Sequence, residues 1–158
     1  ASVAGAHSYW LASQQGGIEW ERSPRFAFKR DTQEGSITRS NHCLFEAHQQ
    51  NGGVIPNESS LSRLVRAKEL LEVEDQSIDS MKGIFSNRDD GVNSINRYPE
   101  DEQGTTTNAV ILVDPANLEF HACRGSADRG TWHTFTFDST RSEYPFEQNK
   151  CKKAGKKT

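Results

Sequence analysis

The sequence predicts an α+β domain, with helices packed on antiparallel sheet. Three observations carry that expectation. Alternating polar and apolar residues crowd the region from His7 to Arg30, two segments of helical period occupy the middle, and β-rich runs return after Thr105. Strands, then helices, then strands again are segregated elements, not the alternating βαβ pattern of a parallel sheet. At 158 residues the chain has the size of one domain and can bury a core. Residues 1–140 read as that single α+β domain and 141–158 as an irregular basic tail.

The elements follow in order. His7-Ser8-Tyr9-Trp10-Leu11-Ala12-Ser13 alternates and is rich in aromatics, as a half-buried strand would be. Gln14-Gln15-Gly16-Gly17 is a turn, and Ile18-Glu19-Trp20-Glu21-Arg22 completes a hairpin. Arg25 to Arg30 gives a third strand, and a short Ser36-Ile37-Thr38 run leads to Asn41 at a strand end. Gln49 to Asn57 is a loop. Ser59 or Ser60 then caps a helix to Val73, whose apolar stripe is Leu61, Leu64, Val65, Leu70 and Leu71. A second helix runs from Ser77 to Phe85 on Ile78, Met81 and Phe85, weakened by Gly83. Asn87 to Gln103 is polar loop. Ala109 to Val113 is continuously apolar, the mark of a central strand. Leu118 to Cys123 and Thr131 to Phe137 are the last strands. Tyr9, Trp10, Trp20, Trp132 and Phe135 read as core or sheet-face residues.

Bulk composition narrows the function classes. Hydrophobic residues make up 33% and charged residues 26%, lean but not disordered. Either part of the core comes from another chain or a further segment, or this is a small polar extracellular domain. A net charge of −3 supplies no global basic field for nucleic acid. Only the tail cluster Lys150, Lys152, Lys153, Lys156 and Lys157 could attract a polyanion. No apolar run is long enough to span a membrane as a helix. Ala1 in place of an initiator Met reads as a processed N-terminus. The compartment stays open between secreted and vesicular or peroxisomal. Asn57-Glu58-Ser59 is a glycosylation sequon, of consequence only in a secreted protein.

Chemistry concentrates in Thr38-Arg39-Ser40-Asn41-His42-Cys43-Leu44, where Asn41, His42 and Cys43 sit together in a region that loops use for function. Cys43 could be a nucleophile with His42 or His48 as base. Neighbours on a strand face opposite ways, however, so a buried or disulfide-bonded cysteine is the favoured reading. Cys43, Cys123 and Cys151 are the disulfide candidates, too few and too odd in number for a disulfide scaffold. No CxxC or HxxxH spacing suggests zinc, and no cofactor is expected. Asp89-Asp90 could bind a divalent ion, though adjacent loop acids are usually solvated. His121 and His133, on adjacent predicted strands, could face each other as the acid–base pair of a small metal-independent nuclease, with Glu119 or Asp138 assisting.

The order of these motifs resembles a known family. The hairpin at His7 to Leu11, Thr38 to Cys43, Ser59-Ser60-Leu61-Ser62-Arg63-Leu64, Asn93-Ser94-Ile95-Asn96-Arg97-Tyr98-Pro99 and the strand pair Thr107 to His121 are similar to the later part of the isopenicillin-N acyltransferase (peptidase C45) family. Those proteins are N-terminal-nucleophile (Ntn) hydrolases, with choloylglycine hydrolases as distant relatives. The likeness covers about residues 5 to 137, and the Asn-His and Ser-Ile-x-Arg-x-Pro steps are its most telling parts.

The resemblance implies an αββα sandwich and an amidohydrolase or acyltransferase working through an acyl-cysteine. Its N-terminal cysteine would use its own α-amino group as base, and small-molecule amides or acyl donors would be its substrates. Asn41 takes the position of the oxyanion donor. Arg63 matches an active-site Arg that supports the nucleophile or holds a substrate carboxylate, with His42 beside it on the substrate side. The chain departs from the family where it begins with Ala1, so the nucleophile is expected on a second chain of the same precursor. It also carries Asn96 and Tyr98 where the family's run has Cys and His. A descendant repurposed as a secreted, non-catalytic binding or defence protein is the alternative, beside the nuclease.

Overall fold

A computed structural model describes residues 7–101 and 105–137. Its architecture is α+β, with two antiparallel three-stranded sheets and helices between them in sequence. The first sheet has the order β1 (His7–Ser13), β2 (Gly16–Arg22), β3 (Ala27–Asp31). Ser13 opposes Gly16, so Gln14-Gln15 forms the hairpin turn. After β3 the backbone makes a 3-10 turn at Thr32–Glu34. The expected Ser36-Ile37-Thr38 strand does not form, and Thr38 to Phe45 is irregular.

Strand β2 alternates as predicted, but in the opposite phase to a hydrophobic strand. Glu19 and Glu21 are each only 1% exposed, while Trp20 lies on the outer face opposite Tyr9. Buried carboxylates are tolerated only when paired and hydrogen-bonded, so this face needs cations and N–H groups rather than apolar cover.

Between the sheets run α1 (Glu46–Gln49), α2 (Glu58–Val73) and α3 (Ile78–Ser86). The short α1 falls within a segment whose sequence has no helical period and no capping side chain. The cap of α2 is Asn57, not Ser59 or Ser60. Its side chain accepts from the Ser60 N–H (2.8 Å), and Ser60 Oγ accepts from the Asn57 N–H (3.0 Å), a reciprocal capping box. Of its apolar stripe Leu64 is buried, whereas Leu61 and Val65 remain exposed. The third helix forms where Ile78, Met81 and Phe85 placed it, capped by Ser77.

The second sheet has the order β4 (Ala109–Asp114), β5 (Glu119–Arg124), β6 (Trp132–Thr136). The expectation of a central strand at Ala109 to Val113 is corrected, because among the described strands β5 is central and β4 is an edge. Val110, Leu112, Cys123 and Ala127 form a core cluster, covered by Ile78, Met81, Phe85 and Trp132. The opposite face carries Ile111, Val113 and Phe135, all more than half exposed. A continuously apolar strand is one suited to burial on both faces, and here the described residues cover one. No described helix is long and apolar enough to cross a membrane.

Candidate functional site

The two buried carboxylates of β2 organise the loop that carries Asn41. Glu19 accepts from Ser8 Oγ (2.6 Å), Arg30 Nε (2.7 Å) and Arg39 Nε. Glu21 accepts from Arg39 Nη2, from the backbone N–H groups of Leu44 (2.9 Å) and Phe45 (3.2 Å), and pairs with His48 Nδ1 (2.7 Å). The same arginines reach the loop's carbonyls, Arg30 at Thr38 O (3.0 Å) and Arg39 at His42 O (3.1 Å). The loop is thus strapped to β2 on both sides of Asn41. Burial pushes both glutamates upward, but these donors outweigh it and hold each below the ordinary 4.5. Both stay charged at neutral pH, as the strapping requires.

Asn41 is then placed against helix α2. Arg63 Nη2 donates to Asn41 Oδ1 (2.7 Å), and Arg63 Nε to the Ser59 carbonyl (3.2 Å). Arg97 enters from the loop after α3, donating to Ser59 Oγ (2.8 Å) and to Thr105 Oγ1. These residues, with Glu58, Asn93, Ile95, Thr106 and Thr107, line a cavity of about 650 Å³. Burial, and then the neighbouring Arg97 charge, lower the Arg63 pKa below its ordinary value. A second cleft of about 520 Å³ shares Arg63, Ile95 and Thr107 with the first and has apolar walls that include Trp10, Leu71, Phe85 and Val110. Taken together, an amide and two guanidiniums at one wall can stabilise negative charge on a ligand oxygen. Among the described residues, no thiol or imidazole lines the cavity.

The other predicted residues lie elsewhere. His42 turns inward, 4% exposed, with Nδ1 2.9 Å from Ser60 Oγ, so it does not face the cavity as a substrate-side group. Burial and the Arg39 charge lower its pKa and favour the neutral ring. Cys43 is also buried, in an irregular loop and not on a strand. Its N–H donates to Val54 O (2.8 Å), and burial followed by the Glu21 charge pushes its thiol pKa up. That environment suppresses the thiolate a nucleophile needs. Cys123 is buried likewise. Of the three disulfide candidates, both of these are free thiols, and Cys151 lies outside the described residues.

The strand register corrects the histidine pair. Thr134 opposes His121 and Ala122 opposes His133, so the two rings occupy opposite faces of the sheet. His121 is buried, its Nδ1 2.9 Å from Thr134 Oγ1 and its Nε2 3.2 Å from Glu119 Oε2, while His133 is exposed. Asp138 lies outside the described residues. Asp90 is committed to Arg66 (3.2 Å) and Asp89 accepts from Asn87 Nδ2 (2.8 Å). No group of three potential metal ligands comes together among the described residues.

Asn96 and Tyr98 hold structural posts. Asn96 is fully buried and donates to Asp128 (2.7 Å), while Tyr98 is stacked between Arg88 and Arg129 (3.7 and 3.3 Å from the ring centre) and donates to Asp128. Between them is Arg97, the cavity residue that sequence reasoning passed over. Its signal was present, since it is the Arg of the Ser-Ile-x-Arg-x-Pro step. Compared with known proteins, the chain matches no family profile and no curated sequence.

Proposed function

We propose that this chain is part of an Ntn-type amidohydrolase or acyltransferase, similar to the isopenicillin-N acyltransferase family. It acts on amide bonds through an acyl-cysteine whose sulfur belongs to a second chain of the same precursor. In this reading the thiolate attacks the amide carbonyl above Asn41, whose carboxamide N–H receives the developing oxyanion. Such a donor contributes roughly 2.7–4 kcal/mol to transition-state stabilisation. Arg63 positions that carboxamide, and Arg97 adds positive charge to the same wall.

The observation that carries this reading is the Arg63–Asn41 bond. It engages the amide oxygen and leaves the N–H groups of Asn41, a residue of the cavity wall, free to donate. The exposed apolar outer face of β4, β5 and β6 supports the αββα architecture, in which a further layer would cover Ile111, Val113 and Phe135.

N-terminal sequencing and intact mass of the native protein test it. A co-purifying chain that begins with Cys, and that gains an acyl mass on incubation with an amide or acyl-thioester panel, is the expected result. A lone 17.7 kDa species that takes up no acyl group overturns the proposal.

A further inference from the structure

The first sheet carries an aromatic groove on the side away from the strapped loop. Strand register puts Tyr9, Trp20, Arg22, Ala27, Lys29 and Asp31 on one face, opposite the face that holds Glu19 and Glu21. Tyr9 and Trp20 are direct cross-strand neighbours and are 49% and 37% exposed. Such a pair ordinarily gains by packing ring against ring. Here the Tyr9 ring leans toward His7 instead, with ring centres 6.4 Å apart. A groove of about 500 Å³ opens among Tyr9, Trp20, Arg22 and Ala27. The hollow exists because Ala27, opposite Arg22 in register, has only a methyl group to place there.

The charge at this groove is positive. Asp31, the one carboxylate among the described strand residues of the face, pairs with Lys29 (3.5 Å). Arg22 is left at the groove with its planar fork of donors exposed. Trp20 and Arg22 stand two residues apart on one strand, about 7 Å. A ribose holds a nucleobase and a phosphate apart by a similar span. A neutral sugar would use the rings and leave the charge idle, and inorganic phosphate would use the charge and leave the rings idle. A flat ring and an anion one sugar apart use both.

We infer that this groove binds a nucleoside monophosphate, with the base against Tyr9 and Trp20 and the phosphate on Arg22. The guanidinium takes two phosphate oxygens at once. Stacking accepts any base, because every base has a π-face, so the groove selects for a ring and a phosphate and not for base identity. The site shares no lining residue with the Asn41 cavity, and it stands whether or not the chain acts on amides.

Calorimetric titration of the 158-residue chain with adenosine monophosphate, adenosine, ribose phosphate, cellotetraose and an oligoadenylate tests the inference. Adenosine monophosphate should bind about fivefold or more tighter than adenosine, which lacks the anion. It should bind about tenfold or more tighter than ribose phosphate, which lacks the ring. Trp20→Ala should weaken it about tenfold. Arg22→Gln should bring it down to the level of adenosine. Ala27→Leu, which fills the groove at an exposed position, should block it, and Arg124→Gln on the other sheet should leave it unchanged. Equal binding of adenosine monophosphate, adenosine and ribose phosphate overturns the inference. So does full binding by Ala27→Leu, or no binding of adenosine monophosphate by the parent at about 10 mM. Tighter binding of cellotetraose would assign the groove to a neutral glycan, and tighter binding of the oligoadenylate to a nucleic-acid strand; either result also overturns it. The ligand comparisons use the parent chain, so they decide even where a variant fails to fold.

Discussion

Arg63 Nη2 lies 2.7 Å from Asn41 Oδ1, joining the first turns of α2 to a loop that β2 holds from beneath. The bond engages the oxygen end of the Asn41 amide. Arg63→Met should leave stability within about 1 kcal/mol, because a part-exposed hydrogen bond contributes little net energy. The same variant should broaden or shift the Asn41 side-chain N–H₂ resonances in a ¹H–¹⁵N spectrum. Unchanged resonances would show that Arg63 does not orient Asn41.

Asn41→Ala carries the catalytic prediction. On the proposed function, in which a second chain supplies the cysteine, it should lower kcat by about 10²–10³-fold with little change in KM, as removal of an oxyanion donor does. A rise in KM with kcat preserved would assign Asn41 to ground-state binding instead.

Glu21 is the centre of the strapping, since Arg39, His48, Leu44 and Phe45 all direct donors at it. Glu21→Leu removes one of the two carboxylates that Arg39 pairs with, and takes the acceptor from the Leu44 and Phe45 N–H groups and from the buried His48. Unfolding in urea should show a loss of about 3–5 kcal/mol. A loss under about 1 kcal/mol would mean that the cluster is hydrated and does not anchor the loop.

Acid should weaken the fold in two stages. His42 has a folded pKa below its ordinary 6.5, so its contribution is complete above 6.5 and is lost as pH falls from there toward the folded value, because the unfolded chain takes up the proton first. Glu19 and Glu21 lie below 4.5, so their contribution is present above 4.5 and disappears as pH falls through their folded values. Thermal melts across pH 3–8 should show both stages, and His42→Gln should remove only the upper one. A Tm that is flat from pH 7 to 5 in the parent would contradict the buried, neutral His42.

Cys43 and Cys123 should resist a thiol reagent in the native state and react on unfolding, because both are buried and their thiol pKa values are pushed up. Gly53 packs against the first of them. A Cβ there would sit 2.7 Å from Cys43 Sγ and 2.6 Å from the His48 carbonyl, so Gly53→Ala should cost about 1–3 kcal/mol in urea unfolding. Fast native labelling of Cys43, or a neutral Gly53→Ala, would contradict that packing.

Much of the fold was legible because its signals are local. Alternation located β1 and β2, the Ile78–Met81–Phe85 spacing located α3, and the Asp114 to Asn117 turn between two β-rich runs located β4 and β5. Local pattern failed where burial is decided by distant partners. The Glu19 and Glu21 alternation reads as solvent-facing until Arg39 and Arg30 arrive from elsewhere in the chain. Ala109 to Val113 reads as central because apolar composition reports how many faces suit burial, not how many neighbours a strand has.

For the site, the sequence by itself determined which groups were present. It offered an Asn and two Arg at stations spaced along the chain. Only the tertiary structure decided how they meet. It brought Asn41, Arg63 and Arg97 to one wall, turned His42 and Cys43 inward, and split His121 from His133 across a sheet. The physical reason is that strand register and the pairing of buried charge are long-range properties. A one-residue offset in register reverses which face a side chain occupies, and a carboxylate stays buried only where cations far away in sequence come to meet it.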